Sequence, residues 1–251
     1  MASILCEKWA CRAGCYTFFM GEATPQRKPQ DGAFIHEIIP VGWLHCNCSI
    51  VGDPVTREAM VIDPGDEVDK ILEVLHRHQL TVKAIVSTHA HIDHVGGLRK
   101  LHDATGAPVM MHRDDFELYQ ALDMQASWIG MRTPELTDVD QFLKEGDALR
   151  WGPFEAHVLH TPGHTPGSLC LYLPHGAGNI VLPQPHLFAG DTLFAGSIGR
   201  TDLWGGSFDA ILSSLHGKLL ALPDETVVFP GHGEATTISR ERRSNPFLTK
   251  R

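Results

Sequence analysis

Long apolar runs and basic clusters are both missing from this sequence of 251 residues. A membrane-spanning helix needs about 20 consecutive apolar residues, and no stretch approaches that length. Lysine and arginine number 21 against 30 aspartate and glutamate residues, which gives a net charge of −9. Nucleic acids and anionic membranes attract basic surfaces. We therefore expect neither of them as a partner of this protein.

Cysteine is also scarce, with six residues. The first 20 residues lack a secretory pattern, because Glu7, Lys8 and Arg12 interrupt any apolar segment. Without a leader, cysteines in a chain of this length are expected to be thiols rather than a disulfide framework. We expect a cytoplasmic protein in which Cys48 and Cys170, both in apolar strands, belong to the core.

Three of the cysteines, Cys6, Cys11 and Cys15, share the N-terminal segment. Their first spacing is at the limit of the cysteine pairs found in structural zinc sites, and a fourth ligand is not evident. We interpret them as small buried thiols. Residues 22–33 are polar and contain two prolines, which is typical of a loop. The chain is thus predicted to comprise an extension, residues 1–33, and one domain, residues 34–251.

The remainder alternates strand and helix patterns, which predicts an α/β (α+β) protein whose sheets are covered by helices. Apolar residues from Val68 to Leu75 recur at helical spacing and predict a helix over 67–78, with Asp66 as its N-cap. Ser207 is predicted to cap a second helix. Short apolar runs typical of buried strands occur at residues 83–87, 154–159, 187–189 and 226–229.

Histidine is abundant, with 16 residues, and part of it is clustered. Residues 88–94 read THAHIDH, so that four metal-capable side chains follow the apolar run 83–87: His89, His91, Asp93 and His94. A lone histidine is more often a surface or core residue, but four together indicate a metal site. Alternate residues of an extended turn face the same way. His89 and His91 can therefore bind one ion, while Asp93 and His94 turn toward a second.

Three further candidates follow other apolar strands. His164 lies in TPGHTPG (161–167), Asp191 in AGDTL (189–193) and His232 in PGHG (230–233). Strand ends are where α/β proteins place their sites, because loops converge there on a rigid scaffold. We expect these side chains to join the histidine cluster. Imidazole and carboxylate ligands suit zinc, iron and manganese alike.

The four segments THAHIDH, TPGHTPG, GDT (190–192) and PGHG resemble the metallo-β-lactamase fold superfamily. The resemblance runs from about residue 34 to the end of the sequence. Flanking segments are similar to small bacterial glyoxalase II-like hydrolases, namely VIDPGD (61–66), SIGRTDLWGGS (197–207) and ERRSNPFL (241–248). The resemblance implies a four-layer αββα sandwich with a site along one edge of two sheets.

The resemblance also implies a ligand set for two divalent metal ions, with zinc preferred and iron or manganese as alternatives. The first metal would take His89, His91 and His164; the second would take Asp93, His94 and His232; Asp191 would bridge them. Asp93 or Asp191 is the candidate for proton transfer. Asp63 is a candidate acceptor for a ligand histidine's other N–H. Arg200 either meets an anionic substrate or only pins its loop through Asp202. Four other histidines, His45, His112, His160 and His186, are interpreted as non-ligands.

The function implied is hydrolysis of a small-molecule thioester or related activated acyl compound by a metal-bound hydroxide, with hydroxyacylglutathione as the family's typical example. The helical domain with which glyoxalase II proper helps to bind glutathione has no evident counterpart after His232. Persulfide dioxygenases, which use one iron held by two histidines and a carboxylate and share a GRTD-like segment, are the alternative. The acidic balance argues against the nucleic-acid-processing branches, and a bridging Asp191 argues against a true β-lactamase. A metal-stabilised binding module without turnover also stays open.

Overall fold

The computed structural model describes residues 34–177 and 180–249, and within them the chain forms two six-stranded sheets. The predicted extension with Cys6, Cys11 and Cys15 lies outside the described residues. The first sheet takes its strands in chain order, antiparallel up to the third and parallel from there on. Its strands are β1 (Ile35–Val41), β2 (Cys46–Gly52), β3 (Glu58–Ile62), β4 (Thr81–Val86), β5 (Val109–His112) and β6 (Gln141–Leu143).

Helices connect the parallel strands of this sheet. They are α1 (Val68–Arg77), α2 (Ile92–Val95), α3 (Leu98–Thr105), α4 (Phe116–Gln120) and α5 (Leu122–Ile129). The prediction of a helix over 67–78 is confirmed by α1. The prediction of Asp66 as its N-cap is wrong, because Glu67 takes that place in a left-handed conformation. The Asp66 carboxylate instead accepts a hydrogen bond from the adjacent N–H of Glu67.

The second half of the chain supplies the other sheet and two short hairpins. Its strands are β7 (Ala148–Trp151), β8 (Phe154–His160), β9 (Leu169–Leu173), β10 (Gly176–Ala177), β11 (Ile180–Val181), β12 (His186–Gly190), β13 (Leu193–Phe194), β14 (Ser197–Ile198), β15 (Val227–Pro230) and β16 (Thr236–Thr237). The sheet order is β16-β15-β12-β9-β8-β7, and β10-β11 and β13-β14 are the hairpins. Helices α6 (Phe208–Gly217), α7 (Ile238–Ser244) and α8 (Pro246–Thr249) cover this half. The Ser207 hydroxyl accepts from the Ala210 N–H and caps α6 as predicted.

Three separate apolar clusters define four layers. In β4, Ile85 packs with the helices α1 to α5, whereas Val86 packs between the two sheets. In β9, Leu171 belongs to the layer between the sheets, whereas Cys170 faces the cluster that includes Ile211 of α6. Successive strand residues point to opposite faces, so each sheet contributes to two clusters. The predicted αββα sandwich is therefore confirmed.

The two sheets are joined by main-chain hydrogen bonds at the edge where several strands end. The Leu169 N–H donates to the Thr88 carbonyl at 2.7 Å, and the Asn47 N–H donates to the Gly231 carbonyl at 2.7 Å. Strands β3 and β4 are parallel, as are β12 and β15, so their carboxyl ends meet at this edge. The loops that follow them carry the residues of the candidate site. Within the described ranges, no helix combines the length and apolar character needed to cross a bilayer.

Candidate metal centre

The structure brings all seven predicted ligand side chains to this shared edge. The turn after β4 contributes His89, His91, Asp93 and His94; the turn after β8 contributes His164; the turns after β12 and β15 contribute Asp191 and His232. Each of these turns follows directly on a strand of a sheet. The strands are rigid, so they hold the ligand side chains in fixed positions.

We call His89, His91 and His164 the first cluster, since one ligand atom from each lies within 4.8 Å of the other two. The Nδ1 of His91 is 2.9 Å from the Nε2 of His164. Burial lowers the pKa of His91 to about 3 and that of His89 well below its ordinary value, with neighbouring histidines adding to both. The rings of His89 and His91 are thus neutral near pH 7, the form in which imidazole binds a metal.

We call Asp93, His94 and His232 the second cluster, which meets the same distance limit. The Asp93 Oδ2 lies 3.1 Å from the His232 Nε2 and 3.6 Å from the His94 Nε2. Burial by itself raises the pKa of Asp93, but His94 and His232 outweigh it and hold that pKa well below the usual range. The carboxylate is therefore charged and available as a ligand.

Asp191 lies between the two clusters. Its Oδ1 is 3.5 Å from the His94 Nε2, while its Oδ2 is 3.5 Å from the His164 Nε2 and 3.8 Å from the His232 Nε2. One carboxylate therefore faces a histidine of each cluster. This is the position from which a carboxylate can contact two ions at once.

The outward ring nitrogen of each of four histidines already has a partner. The Nδ1 of His89 lies 3.1 Å from the Thr88 hydroxyl, and that of His94 lies 3.0 Å from the Asp63 carboxylate. The Nδ1 of His164 lies 2.8 Å from the Arg200 carbonyl, and that of His232 lies 3.1 Å from the Leu44 carbonyl. A ring that donates from Nδ1 keeps its Nε2 lone pair for a metal. All four Nε2 atoms consequently point into the centre.

Two buried polar atoms in the centre, without hydrogen-bond partners among the described residues, indicate whether these residues fit a cation. The His89 Nε2 and the Asp191 Oδ1 are buried and have no hydrogen-bond partner within the described part of the chain. A buried lone pair without a partner is costly. Burial by itself lowers the pKa of His94, but Cys46 and the carboxylates of Asp93 and Asp191 outweigh it and hold that pKa well above its ordinary value. The site thus favours positive charge, and the donor set fits divalent cations.

Asp63 lies where the sequence predicts a partner for a ligand histidine. It is 2% exposed, and its Oδ2 accepts from His94 and from the Thr88 hydroxyl, the latter at 2.7 Å. Its Oδ1 accepts from the Thr88 N–H, also at 2.7 Å. The carboxylate therefore connects the end of β3 to the turn that carries four of the seven ligands.

Arg200 lies beside the first cluster, with its guanidinium largely exposed. The guanidinium forms two hydrogen bonds with Asp202, at 2.8 and 2.9 Å. The pairing holds the loop together, which is one of the two roles that the sequence allows. Its main-chain carbonyl, rather than its side chain, touches His164. Sequence patterns give no sign of this contact, since any residue supplies a carbonyl.

A further group of potential ligands, His112, Asp114 and His160, lies outside this centre. The two imidazoles are stacked, with centroids 4.0 Å apart and planes inclined by 11°. Lone pairs in parallel ring planes do not converge on one ion. The His160 Nε2 is also within 2.8 Å of the Pro166 carbonyl, and the His112 Nδ1 accepts from the Asp114 N–H. This geometry agrees with the interpretation of both histidines as non-ligands.

Comparison with known proteins agrees with the fold. The sequence profile of the metallo-beta-lactamase superfamily matches residues 41–232. Hydroxyacylglutathione hydrolase GloC of Haemophilus influenzae is 37% identical over 222 residues, which cover 86% of this chain and 98% of that protein. The crystal structure of BLEG-1 B3 metallo-beta-lactamase superposes with a TM-score of 0.78 and 38% identity, covering 86% of this chain and 100% of that one.

A second solved structure, TTHA1623 in a di-iron-bound form, gives a TM-score of 0.72 and 40% identity, covering 84% of this chain and 100% of that one. The chain belongs to the metallo-beta-lactamase superfamily. It is a metallo-hydrolase of that superfamily whose clustered histidines and aspartates are suited to divalent metal ions.

Proposed function

We propose that this protein is a dinuclear hydrolase that cleaves a thioester or a related activated acyl compound. The observation that carries the proposal is the place of Asp191, whose two oxygens face histidines of different clusters. A carboxylate so placed serves two ions better than one. The similarity to a protein named as a hydroxyacylglutathione hydrolase supports the thioester as substrate class.

The seven side chains would hold two divalent ions, in the assignment that the sequence implies. Bound there, such ions would polarise an acyl carbonyl and make water acidic enough to attack near neutral pH. Histidine ligands bind a metal as uncharged rings, whereas each aspartate ligand brings a negative charge. Two dipositive ions and two carboxylates leave the centre positive, which stabilises a developing oxyanion.

Two carboxylates at the centre can take part in proton transfer. Asp93 is held in its charged form by its histidine neighbours, and Asp191 has an oxygen without a hydrogen-bond partner in the described residues. Either could accept a proton from the attacking water and deliver it to the sulfur of the thiolate that leaves when the C–S bond breaks, which gives the free thiol. Arg200 stands at the margin, where release from Asp202 would let its guanidinium meet an anionic part of the substrate.

An iron oxidoreductase is the second candidate. His89, His94 and Asp191 together form a group of two histidines and one carboxylate, and this donor set is typical of mononuclear non-haem iron oxygenases. In that case one ion, rather than two, would be the active species.

Metal analysis and parallel assays of the purified full-length chain distinguish the candidates. Hydrolysis of a hydroxyacylglutathione or a simple acyl thioester with two metals per chain supports the proposal. Oxygen uptake with glutathione persulfide and one iron per chain would replace it by the second candidate. A chromogenic cephalosporin belongs in the series, since the structural relative BLEG-1 is named a metallo-beta-lactamase. Metal binding without turnover of any ester, thioester or lactone would instead indicate a binding module.

A further inference from the structure

A segment that supplies none of the proposed ligands forms hydrogen bonds with both turns that carry the first cluster. Asp115 ends a short 3-10 turn, Arg113–Asp115, and is 0% exposed. Its Oδ2 accepts from the Ala90 N–H at 3.0 Å and from the Thr165 hydroxyl at 2.7 Å, and its Oδ1 accepts from the Gly167 N–H at 2.6 Å. Ala90 lies between His89 and His91, and Thr165 follows His164. One buried carboxylate thus touches both turns of the first cluster.

Gln125 of α5 holds the same turn from the other side. Its Oε1 accepts from the Ile92 N–H at 2.9 Å, and its Nε2 donates to the Ala90 carbonyl at 3.1 Å. The amide also donates to the Leu118 carbonyl at 2.8 Å, which anchors it to α4. Both main-chain polar groups of Ala90 are therefore bound by buried side chains.

The packing around Asp115 leaves little freedom. A methyl group on Gly167 would lie 2.7 Å from the Asp115 Cγ and 2.7 Å from its main-chain nitrogen. The turn can approach the carboxylate this closely only because residue 167 is glycine. With Thr165 also bonded, small movements of Asp115 would displace the turn that carries His164.

We infer that Asp115 and Gln125 are positioning residues for the first metal, fixing His89, His91 and His164 at binding distance through the main chain between them. The inference rests on the proposed metal centre but not on any substrate. Partners beyond the ligands typically change metal affinity by about 10- to 100-fold when they are removed. The described hydrogen bonds of the Asp115 side chain reach Ala90, Thr165 and Gly167, and none reaches Asp93, His94 or His232. Replacing Asp115 should therefore affect the second metal much less than the first.

The test is Asp115→Asn, which keeps the shape but replaces an acceptor oxygen by a donor amide. If the amide NH2 replaces Oδ2, the Ala90 N–H loses its acceptor, and if it replaces Oδ1, the Gly167 N–H loses its acceptor. The variant is placed in two backgrounds. His232→Ala weakens the second cluster and reports the first metal, and His91→Ala weakens the first cluster and reports the second. Zn²⁺ affinity is measured against a chromophoric chelator, beside thermal unfolding of the metal-free proteins.

We expect Zn²⁺ affinity to fall by about 10- to 100-fold in the His232→Ala background and to stay unchanged in the His91→Ala background. Glu241→Gln is the matched control. Glu241 is also 0% exposed, and it accepts hydrogen bonds from the Thr236 hydroxyl and the Gly196 N–H. It should lower metal-free stability as Asp115→Asn does, without changing either affinity.

Three outcomes would overturn the inference. One is a folded Asp115→Asn protein with normal affinity in both backgrounds. Another is an equal loss of both affinities that merely follows stability. Failure of the wild-type protein to bind Zn²⁺ would remove the metal centre as well, and so is distinct from the other two. If Asp115→Asn does not fold, Thr165→Val deletes a single donor to the carboxylate and should show a smaller loss with the same preference for the first metal.

Discussion

The Nδ1 of His91 lies 2.9 Å from the Nε2 of His164, although 73 residues separate them in the chain. Two neutral imidazoles at this distance share one N–H, so the pair is hydrogen-bonded when no metal is bound. Burial lowers the pKa of His91 to about 3, which keeps its ring neutral near pH 7, the form that binds a metal ion. An ion held by these rings would stabilise the fold, because it binds the native state and not the unfolded chain.

Removal of metal should lower thermal stability. A ligand that binds only the native state at 100 times its Kd adds about 2.7 kcal/mol. For a domain of this size we expect a chelator to lower the unfolding midpoint by roughly 5–10 °C, measured by calorimetry, with excess Zn²⁺ restoring it. Equal midpoints for the chelated and zinc-loaded protein would contradict the metal centre.

Asp191→Ala should reduce metal content and turnover together, because the carboxylate that faces both clusters is lost. We expect fewer than two metals per chain by elemental analysis. Turnover should fall by about 100-fold or more, since metal stabilisation of the transition state contributes several kcal/mol. Asp103→Ala is the control, because Asp103 is an exposed carboxylate of α3 that pairs with Arg99 and is not among the proposed ligands. Unchanged metal content in Asp191→Ala would refute its bridging role.

Gly231→Ala should displace a ligand without altering any functional group. The added methyl group would overlap the Asp191 Oδ1 and lie 2.6 Å from the His94 Cε1. The φ of Gly231 is not positive, so the obstacle is steric rather than conformational. We expect loss of metal at near-normal secondary structure, read by elemental analysis and circular dichroism. Gly217→Ala, whose methyl group meets nothing within 4 Å, should behave as wild type. Full metal content in Gly231→Ala would contradict this prediction and show that the Asp191 side chain can move aside while it still binds metal.

His36→Phe should weaken the acid sensitivity of the fold. The His36 ring packs edge-on against Phe188 and Phe229, and burial, assisted by His186, lowers its pKa to about 3. An unfolded histidine titrates near 6.5, so between these values the unfolded state binds the extra proton. This contribution to stability is complete above about pH 6.5 and is lost as the pH falls toward 3.

Between pH 7 and pH 5, the free energy of unfolding of wild type should fall by about 2 kcal/mol more than that of His36→Phe, since one titrating group contributes up to 1.36 kcal/mol per pH unit. Urea unfolding of metal-free wild type and His36→Phe at both pH values measures it. The histidines of the metal centre are common to both proteins and cancel. Identical pH dependence in the two would show that His36 is protonated in the native state.

Deletion of residues 1–30 should leave metal binding intact. The seven proposed ligands lie between residues 89 and 232, and the partners described for them lie between residues 44 and 200. Elemental analysis of the shortened protein tests the division into an extension and a domain. Loss of metal would mean that Cys6, Cys11 or Cys15 belongs to the centre.

Local patterns in the sequence were sufficient to predict the fold class, the helix α1 and the seven clustered side chains. Helical spacing of apolar residues, glycine-rich turns and the group His89 to His94 are all short-range signals, because they depend on residue types at neighbouring positions. The prediction of Asp66 as the N-cap failed because Glu67 adopts a left-handed conformation, so that the helix begins one residue later than predicted.

Apart from Asp63, which the sequence already indicated, only the tertiary structure decided which groups orient those side chains. The Leu44 and Arg200 carbonyls fix His232 and His164, yet every residue has a carbonyl, so no residue type marks these positions. Asp115 resembles any aspartate in a polar turn until the two sheets close and bury it between residues 90 and 167. The sequence carries the ligands because metal chemistry restricts the residue types. Their geometry depends on long-range packing and main-chain contacts, which leave no such trace.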